Sequence, residues 1–299
     1  MKKNFIFALG LLLVTGFSAC SSEIEDGTTD IDSWPMPYIE VEGRYTYQHP
    51  CAMFNEADFT RVKTMLEDGT APQAVKDEFE TLKNSTYTPT TYVASPTEWI
   101  VRGDPTGTGV DKENYPNAMR DASAAYQMAL LWKLTGNVDY ANASIKVMND
   151  WVDKCKGIPS NDANQTLAAG VQGYTFANAA EIMQTYNNWT DKDKSDFKQW
   201  MLDVFAKKNL DFLEKHGEQC GDHYWSNWDL VSLSSYLAIG ILTEKDDMVN
   251  YVVNYFYNGV GNGYIGKLIR GTFTDPLGSG EGIAQNQESG RDQGHAMMT

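Results

Sequence analysis

Basic residues, cysteine and histidine are all scarce in this sequence of 299 residues. Lys and Arg total 24 against 40 Asp and Glu, which gives a formal net charge of -16. Nucleic acids and anionic membrane surfaces are bound through a basic footprint, so this charge argues against both as partners. It does not exclude a polyanionic substrate, because a cleft needs only a locally positive lining.

The chain has four cysteines, at positions 20, 51, 155 and 220. They form no Cys-x-x-Cys pair and no Cys/His spacing typical of a metal centre, so we predict neither a metal nor a cofactor. Buried, unpaired thiols are the preferred interpretation of Cys51, Cys155 and Cys220, although one disulfide among them remains open.

Convincing strand pairs are also missing, and from Asn55 onwards the apolar spacing is helical. At 42% hydrophobic residues, the chain can bury a large core, as one big domain or two smaller ones. Side chains at Asn55, Thr190 and Thr243, each followed three residues later by Asp, predict helix N-caps. The predicted helices span residues 55–68, 119–134, 140–152, 166–186, 190–213, 228–242 and 248–257.

Antiparallel helix pairs of this length predict an all-α fold, an α/α toroid built as an incomplete barrel. Periodicity alone leaves a helical repeat array or a TPR-like bundle open. The sequence has no strict internal period of the kind that marks such repeats, which weakens that alternative.

The first residues have the pattern of an export signal. Lys2 and Lys3 precede an apolar stretch over residues 5–17, and Ser18, Ala19 and Cys20 follow. This resembles a bacterial lipoprotein signal over residues 1–19, which implies a lipid on Cys20 as the only membrane attachment. We expect residues 20–47 to be an acidic tether, residues 48–299 the folded domain, and the protein to be exported and anchored at the outer membrane. An ordinary secretory signal is the alternative.

Residues 285–295 form a C-terminal polar run without any aliphatic or aromatic residue. The run contains Gln287, Arg291, Gln293 and His295, and an apolar stretch follows it at once. Polar surface loops seldom combine these groups, so the run predicts a functional site, with a solvated loop as the alternative.

A second group, the aromatic cluster of residues 223–229, contains His223, Tyr224, Asn227 and Trp228. It opens a predicted helix, where backbone N–H groups favour an anion. Aromatic rings beside an imidazole and an amide suit a sugar, although the tryptophans have the spacing of core residues.

Residues 169–183, with the sequence AGVQGYTFANAAEIM, resemble a segment of the alginate lyase family. Residues 226–229 and 287–295 resemble two further family motifs, and the similarity extends from His49 to Thr299. The resemblance implies a toroidal lyase that cleaves a uronic acid polymer such as alginate by β-elimination. The step removes the C5 proton beside the uronate carboxylate and expels the oxygen at C4.

The resemblance and the residue types together suggest roles. Asn227 and Arg291 are expected to neutralise the substrate carboxylate, His223 and His295 to transfer protons or bind that carboxylate, and Tyr224 to serve as the reacting tyrosine. Substrate contacts are predicted for Gln172, Tyr174, Trp228, Gln287 and Gln293. Lys267 and Arg270 are further candidates for contact with a polyanion.

In related lyases a tyrosine follows the arginine of the last motif, whereas here Met297 and Met298 come before the end at Thr299. We therefore expect a sequence truncated at its C-terminus, with Tyr115 or Tyr174 as other candidates for the base. Two other functions remain open. A glycoside hydrolase would use carboxylates among Asp229, Glu281, Glu288 and Asp292, and a glycan-binding lipoprotein would use Tyr224, Trp225 and Trp228 as a platform.

Overall fold

The computed structural model describes residues 40–104, 112–159, 162–274, 278 and 282–296, and most of these residues are helical. The helices are α1 (Glu56–Glu67), α2 (Gln73–Lys83), α3 (Tyr115–Thr135), α4 (Val138–Lys154), α5 (Asn164–Met183), α6 (Asp191–Met201), α7 (Lys207–Lys215), α8 (Ser226–Leu242), α9 (Asp246–Asn258), α10 (Ile265–Leu268) and α11 (Gln293–Ala296). This confirms the all-α prediction. No helix within the described ranges is both long and apolar enough to cross a membrane.

Two of the predicted helix caps are present. The side chain of Asn55 accepts hydrogen bonds from the backbone N–H groups of Ala57 and Asp58, and the Asp58 carboxylate accepts one from the Asn55 N–H. The Thr190 hydroxyl accepts a hydrogen bond from the Asp193 N–H at 3.1 Å. Both caps satisfy N–H groups that have no partner inside their own helix, and they fix where α1 and α6 begin.

Two local predictions are wrong. The Thr243 hydroxyl does not cap α9; it donates to the Ile239 carbonyl at 2.7 Å and helps to close the end of α8. A strand pair is also present, because β1 (Ile269–Thr274) and β2 (Gly282–Asn286) form an antiparallel hairpin. The residues of β2 are mostly exposed, so they lack the alternation of buried and exposed side chains by which a strand is recognised in a sequence.

The helix predicted over residues 190–213 is interrupted by one π-helical stretch, Leu202–Ala206, between α6 and α7. The Lys207 N–H bonds to the Leu202 carbonyl five residues back, which inserts one extra residue into the helical turn. Phe205 lies in this stretch and is fully buried, with its ring centroid 5.0 Å from that of Trp200. The π stretch therefore belongs to the packing of the core.

Helices α3, α5 and α8 form the inner wall of the toroid. Of the 20 residues of α5, 16 are buried, whereas the outer helix α9 buries only one stripe. Helices α5 and α8 run parallel, since Gly170 lies against Val231 and Gly173 lies against Ser235. A Cβ atom at Gly173 would lie 2.4 Å from the Ser235 Oγ, so the two backbones approach too closely for any larger residue.

The N-terminal ends of the three inner helices meet at one end of the toroid. The Arg102 guanidinium lies 4.7 Å from the ring centroid of Tyr115 at the start of α3. The backbone N–H of Arg102 also donates to Gln165 Oε1 in the first turn of α5. Asp162, just before α5, is close enough to Tyr224, just before α8, to influence the pKa of that phenol. Loops before parallel helices therefore converge here, as in the predicted toroid.

Residues 40–54 run along α9 and then cross the opposite end of the inner helices. The side-chain amides of Asn250 and Asn254 each form two hydrogen bonds with the backbone, at Gly43 and Val41 respectively. Residues 40–47, the end of the predicted tether, are thus attached to the folded unit. The predicted signal over residues 1–19 and the lipid site at Cys20 lie outside the described residues.

We expect the substitution Gly173→Ala to lower the free energy of unfolding by about 1–3 kcal/mol, because the added methyl group forces α5 and α8 apart. Denaturant unfolding followed by circular dichroism measures this change. Gly282→Ala is the matched control, since a Cβ there meets nothing within 4 Å, and it should alter stability by less than about 0.5 kcal/mol. Equal effects of the two substitutions would contradict the close contact between the helices.

Candidate active site

The C-terminal polar run supplies the N-terminal cap of α8. Helix α8 has no cap from its own N-cap residue, Trp225. Instead the Ser226 N–H donates to Gln287 Oε1 at 2.6 Å, and the Asn227 N–H donates to Glu288 Oε1 at 3.4 Å. Two N–H groups that helix geometry leaves without intrahelical partners are satisfied by residues about 60 positions later in the sequence.

Glu288 also holds Arg291 in place. Its carboxylate is completely buried, and Oε2 accepts a hydrogen bond from Arg291 Nη1 at 2.8 Å. The guanidinium lies 4.5 Å from the ring centroid of Trp225, which is 47% exposed. Arg291 is fixed on two sides, and a guanidinium has five N–H donors, so further donors remain for a ligand. The anion at the start of α8 is therefore the protein's own Glu288, and Arg291 is the group that faces outward.

The β1–β2 hairpin, which the sequence pattern did not predict, places the C-terminal polar run against α8. β1 follows α10 directly, β2 ends at Asn286, and the Gln287 N–H donates to the Leu268 carbonyl at 2.9 Å. The Asn286 side chain then accepts hydrogen bonds from the Glu288 N–H and the Ser289 hydroxyl, and Gly290 has a φ of 89°. A positive φ of this size favours glycine, so the turn that points Glu288 and Arg291 at α8 depends on Gly290.

The aromatic cluster lies beside the same helix end. The Tyr224 ring is 4.7 Å from the Trp228 ring and 4.8 Å from the His223 ring, with Phe212 of α7 packed behind Tyr224 at 5.2 Å. His223 is exposed and Tyr224 is half-buried. Burial, with a smaller contribution from the Asp162 carboxylate, raises the pKa of Tyr224 above its ordinary value. The phenol therefore keeps its proton at neutral pH.

Asn262 fixes the backbone of the loop that carries this cluster. Its side-chain amide donates to the Tyr224 carbonyl at 2.7 Å and to the Asp222 carbonyl at 3.2 Å. Arg270 donates to the Asn262 oxygen at 3.4 Å, and Lys267 forms an ion pair with Asp222. Lys267 and Arg270 thus lie at the site, but each already has a partner.

A buried network that the sequence did not reveal surrounds Asp229. His216 Nε2 lies 3.0 Å from Asp229 Oδ1, and the Tyr255 hydroxyl lies 3.1 Å from the same imidazole nitrogen. The Gly263 N–H donates to Asp229 Oδ2 at 2.8 Å, and a Cβ at Gly261 would lie only 2.0 Å from that oxygen. The glycines of residues 259–263 were the signal available in the sequence, because they let the backbone approach a carboxylate closely.

This network weakens the hydrolase alternative. Asp229 is 1% exposed and Glu288 is fully buried, and both carboxylates are engaged with protein groups. Asp292 pairs with His295 Nδ1, while Glu281 lies outside the described residues. Of the four candidates for the hydrolase pair, the three that the structure describes are therefore not free carboxylates facing a sugar.

The structure brings six of the ten predicted site residues together around the start of α8: His223, Tyr224, Asn227, Trp228, Gln287 and Arg291. Within the described residues, the buried Asn227 Oδ1 has no hydrogen-bond partner. Gln293 is exposed in α11. His295, two residues later in the same helix, lies beside Asp292.

Two predicted substrate contacts lie further along α5. Tyr174 is ten residues beyond the first residue of α5, which corresponds to about 15 Å along the axis, and its hydroxyl lies 2.7 Å from Met53 Sδ. Gln172 is 1% exposed and its Oε1 has no partner among the described residues. Neither contacts the cluster at α8, so their contact with substrate stays a prediction.

Parallel inner helices with a polar cluster at their N-terminal ends define an α/α toroid with one candidate active site. The sequence profile of the family described as alginate lyase matches residues 76–267. The chain belongs to this family.

The fold also resembles a solved one. The crystal structure of alginate lyase A1-III from Sphingomonas species A1 superposes with a TM-score of 0.52 at 16% sequence identity, over 75% of this chain. The chain spans 60% of that protein's length. No curated protein sequence matches the chain.

We expect Glu288→Ala to lower the free energy of unfolding by about 2–3 kcal/mol, since it removes a helix cap and the buried partner of Arg291. Thermal and denaturant unfolding measure the loss. The control is Glu80→Ala, which breaks an exposed ion pair with Lys83 and should cost less than about 1 kcal/mol. If Glu288→Ala were as mild as the control, the polar run would not be docked on α8.

Proposed function

We propose that the protein is a polysaccharide lyase that cleaves a 4-linked uronic acid polymer such as alginate by β-elimination. The observation that carries this proposal is the meeting of an imidazole, a phenol, an amide and a guanidinium at the start of α8. These are the groups that the reaction requires. Membership of the alginate lyase family and the toroidal fold support the same assignment.

The first requirement is to neutralise the uronate carboxylate. The proton on C5 is weakly acidic because the neighbouring carboxylate is already negative, and its removal places more charge on that group. Arg291 is held by Glu288 and Trp225 with donors to spare, and the Asn227 amide lies in the first turn of α8. Donors that are already in position stabilise developing charge without having to reorganise.

The second requirement is a base and an acid. We assign the base to His223, because it is exposed beside the cluster and a neutral imidazole accepts a proton. We assign the acid to Tyr224, because its phenol is protonated at neutral pH and its ring lies 4.8 Å from that of His223, so it can donate to the departing oxygen on C4. The C5–H and C4–O bonds break, a C4–C5 double bond forms, and no water is consumed. His295 remains a second candidate for the base or for carboxylate binding.

An acidic polymer has to approach a chain with a net charge of -16. Three basic groups near the start of α8 can bind the carboxylates of the polymer directly: Arg291, Arg270 and Lys267. Glu288 and Asp222 pair with two of them, so directed hydrogen bonds contribute more than a local excess of positive charge. We also propose, from the signal-like residues 1–19 and Cys20, that the protein is exported and held at the outer membrane by a lipid, where extracellular polymers are accessible.

The lyase assignment is tested by incubating the full-length protein with polymannuronate, polyguluronate and polyglucuronate and recording ultraviolet absorbance. β-Elimination yields an unsaturated product that absorbs, and we expect absorbance to rise with at least one of these polymers. A neutral polysaccharide serves as the control substrate. Cleavage of the neutral polymer alone, with no absorbing product, would refute the proposal.

For the active substrate, Tyr224→Phe should reduce kcat by about 100-fold to 10,000-fold, because the ring remains and only the transferable proton is lost. Tyr87→Phe, which alters a tyrosine remote from the aromatic cluster, should leave kcat unchanged. An active Tyr224→Phe variant would assign the acid to another residue.

Arg291→Lys should reduce kcat/KM by at least about tenfold, since lysine keeps the charge but loses the fork of donors and the stacking on Trp225. Steady-state kinetics of Arg291→Lys are compared with those of Arg61→Lys, a substitution of an exposed arginine on α1. Similar kinetics of the two variants would show that Arg291 does not bind the carboxylate.

A further inference from the structure

A second cluster of reactive side chains lies at the opposite end of the inner helices. It consists of His49, Cys51 and Glu181, whose nitrogen, sulphur and oxygen atoms all lie within 4.8 Å of one another. His49 Nδ1 is 2.8 and 2.9 Å from the two Glu181 oxygens and 4.0 Å from Cys51 Sγ. Imidazole nitrogen, thiolate sulphur and carboxylate oxygen are the three ligand types that zinc uses in proteins.

The burial of the cluster favours positive charge beside Glu181. The Glu181 side chain is only 3% exposed and that of His49 is 14% exposed. A carboxylate removed from water is stable only beside positive charge or strong hydrogen-bond donors. In the metal-free structure the Cys51 N–H supplies one donor at 2.8 Å, and His49 Nδ1 lies within hydrogen-bond distance of both Glu181 oxygens. A metal ion bound to Glu181 and Nδ1 would supply the positive charge directly.

An outer carboxylate orients the imidazole as it does in metal sites. His49 Nε2, which faces away from Cys51, lies 3.1 Å from Glu244 Oε1, at the end of α8. With a proton held on Nε2 by this carboxylate, a metal ion can replace the Nδ1 proton that lies between the ring and Glu181 in the metal-free structure. Histidines that bind metals nearly always donate their other ring N–H to a carboxylate, a backbone carbonyl or water.

We propose that His49, Cys51 and Glu181 form a zinc site that fastens the N-terminal segment to the ends of α5 and α8. A tetrahedral zinc with bonds of 2.0–2.3 Å spaces its ligands roughly 3.3–3.8 Å apart. The 4.0 Å between sulphur and nitrogen nearly fits, and Glu181 has to withdraw by less than about 1 Å. Solvent supplies the fourth ligand beside the half-exposed Cys51.

The position of the site assigns it a structural role. Glu181 is 17 residues beyond the first residue of α5, so it lies about 25 Å along the helix from the N-terminal end that carries the candidate active site. Zinc there would connect residues 49 and 51, which precede α1, to two inner helices. No local sequence pattern indicates this site, because Glu181 is 130 residues from Cys51 and no paired cysteines accompany them.

The test uses the full-length protein after removal of metals with a chelator. Zinc is titrated against a chromophoric chelator, and cobalt is added in a parallel sample as a spectroscopic substitute. We expect one equivalent of zinc to bind, and cobalt to show a thiolate charge-transfer band with the d–d bands of tetrahedral coordination. A free zinc concentration of 100 times the Kd should raise the Tm of the protein by about 5–10 °C.

Cys51→Ser should abolish the charge-transfer band and weaken zinc binding by at least about tenfold, because serine is a poor zinc ligand. Cys155→Ser is the matched control, since Cys155 is the other free thiol of the described chain, and it should retain both properties. Glu244→Gln should weaken binding by about 10-fold to 100-fold without abolishing the band.

Absence of saturable binding, or zinc binding unchanged by Cys51→Ser, would overturn the proposal; the latter would indicate adventitious binding by surface carboxylates. The cobalt spectrum of the unaltered protein tests whether a thiolate binds the metal even if a variant fails to fold. A wild-type spectrum without a thiolate band excludes Cys51 as a ligand. None of these readouts depends on lyase activity, so this proposal and the proposed function fail independently.

Discussion

The candidate site depends on how the N-terminus of α8 is capped. The Ser226 and Asn227 N–H groups lack partners within the helix, and Gln287 and Glu288 provide them. This contact joins the β1–β2 hairpin to the inner wall and brings Arg291 onto Trp225. The helix end and Arg291 are therefore coupled, because one buried carboxylate, that of Glu288, serves both.

The basic side chains of the site are positioned by carboxylates. Arg291 pairs with Glu288, Lys267 with Asp222 and His295 with Asp292, and each of these basic side chains is about one-third exposed. Paired charges produce a weaker field than the same number of free ones. Recognition of a polyanion at such a site relies on directed hydrogen bonds from fixed donors more than on bulk attraction, which is consistent with the acidic composition.

The two ends of the inner helices differ because these helices run parallel. All of their N-terminal ends meet at the end that holds the loops with Arg102, Asp162 and Tyr224. The C-terminal ends of α5 and α8 meet at the other end, where residues 49–51 cross them. The first end suits chemistry with anions, because helix N-termini carry partial positive charge. The second end has the three side chains of the proposed zinc site, His49, Cys51 and Glu181.

The sequence by itself predicted most of the helices, though not α2, and the composition of the site. Helical spacing and the caps at Asn55 and Thr190 are local signals, since side chain and backbone partner are separated by three residues or fewer. The unusual polarity of residues 285–295 and the aromatic cluster were likewise visible as local composition. Local composition therefore marked the two segments, and contacts 61 positions apart in the sequence bring them together.

Only the tertiary structure decided which of these groups are free to act. Gln287 and Glu288 are used to cap α8, Asp229 is enclosed by His216 and Tyr255, and Glu181 meets His49 across 132 positions. Burial and pairing of a polar side chain depend on partners that are distant in the sequence, and no local pattern specifies them. The sequence therefore determined which chemical groups the protein has. Long-range contacts decided where they meet, because the C-terminal polar run caps α8 and residues 49–51 bind the end of α5.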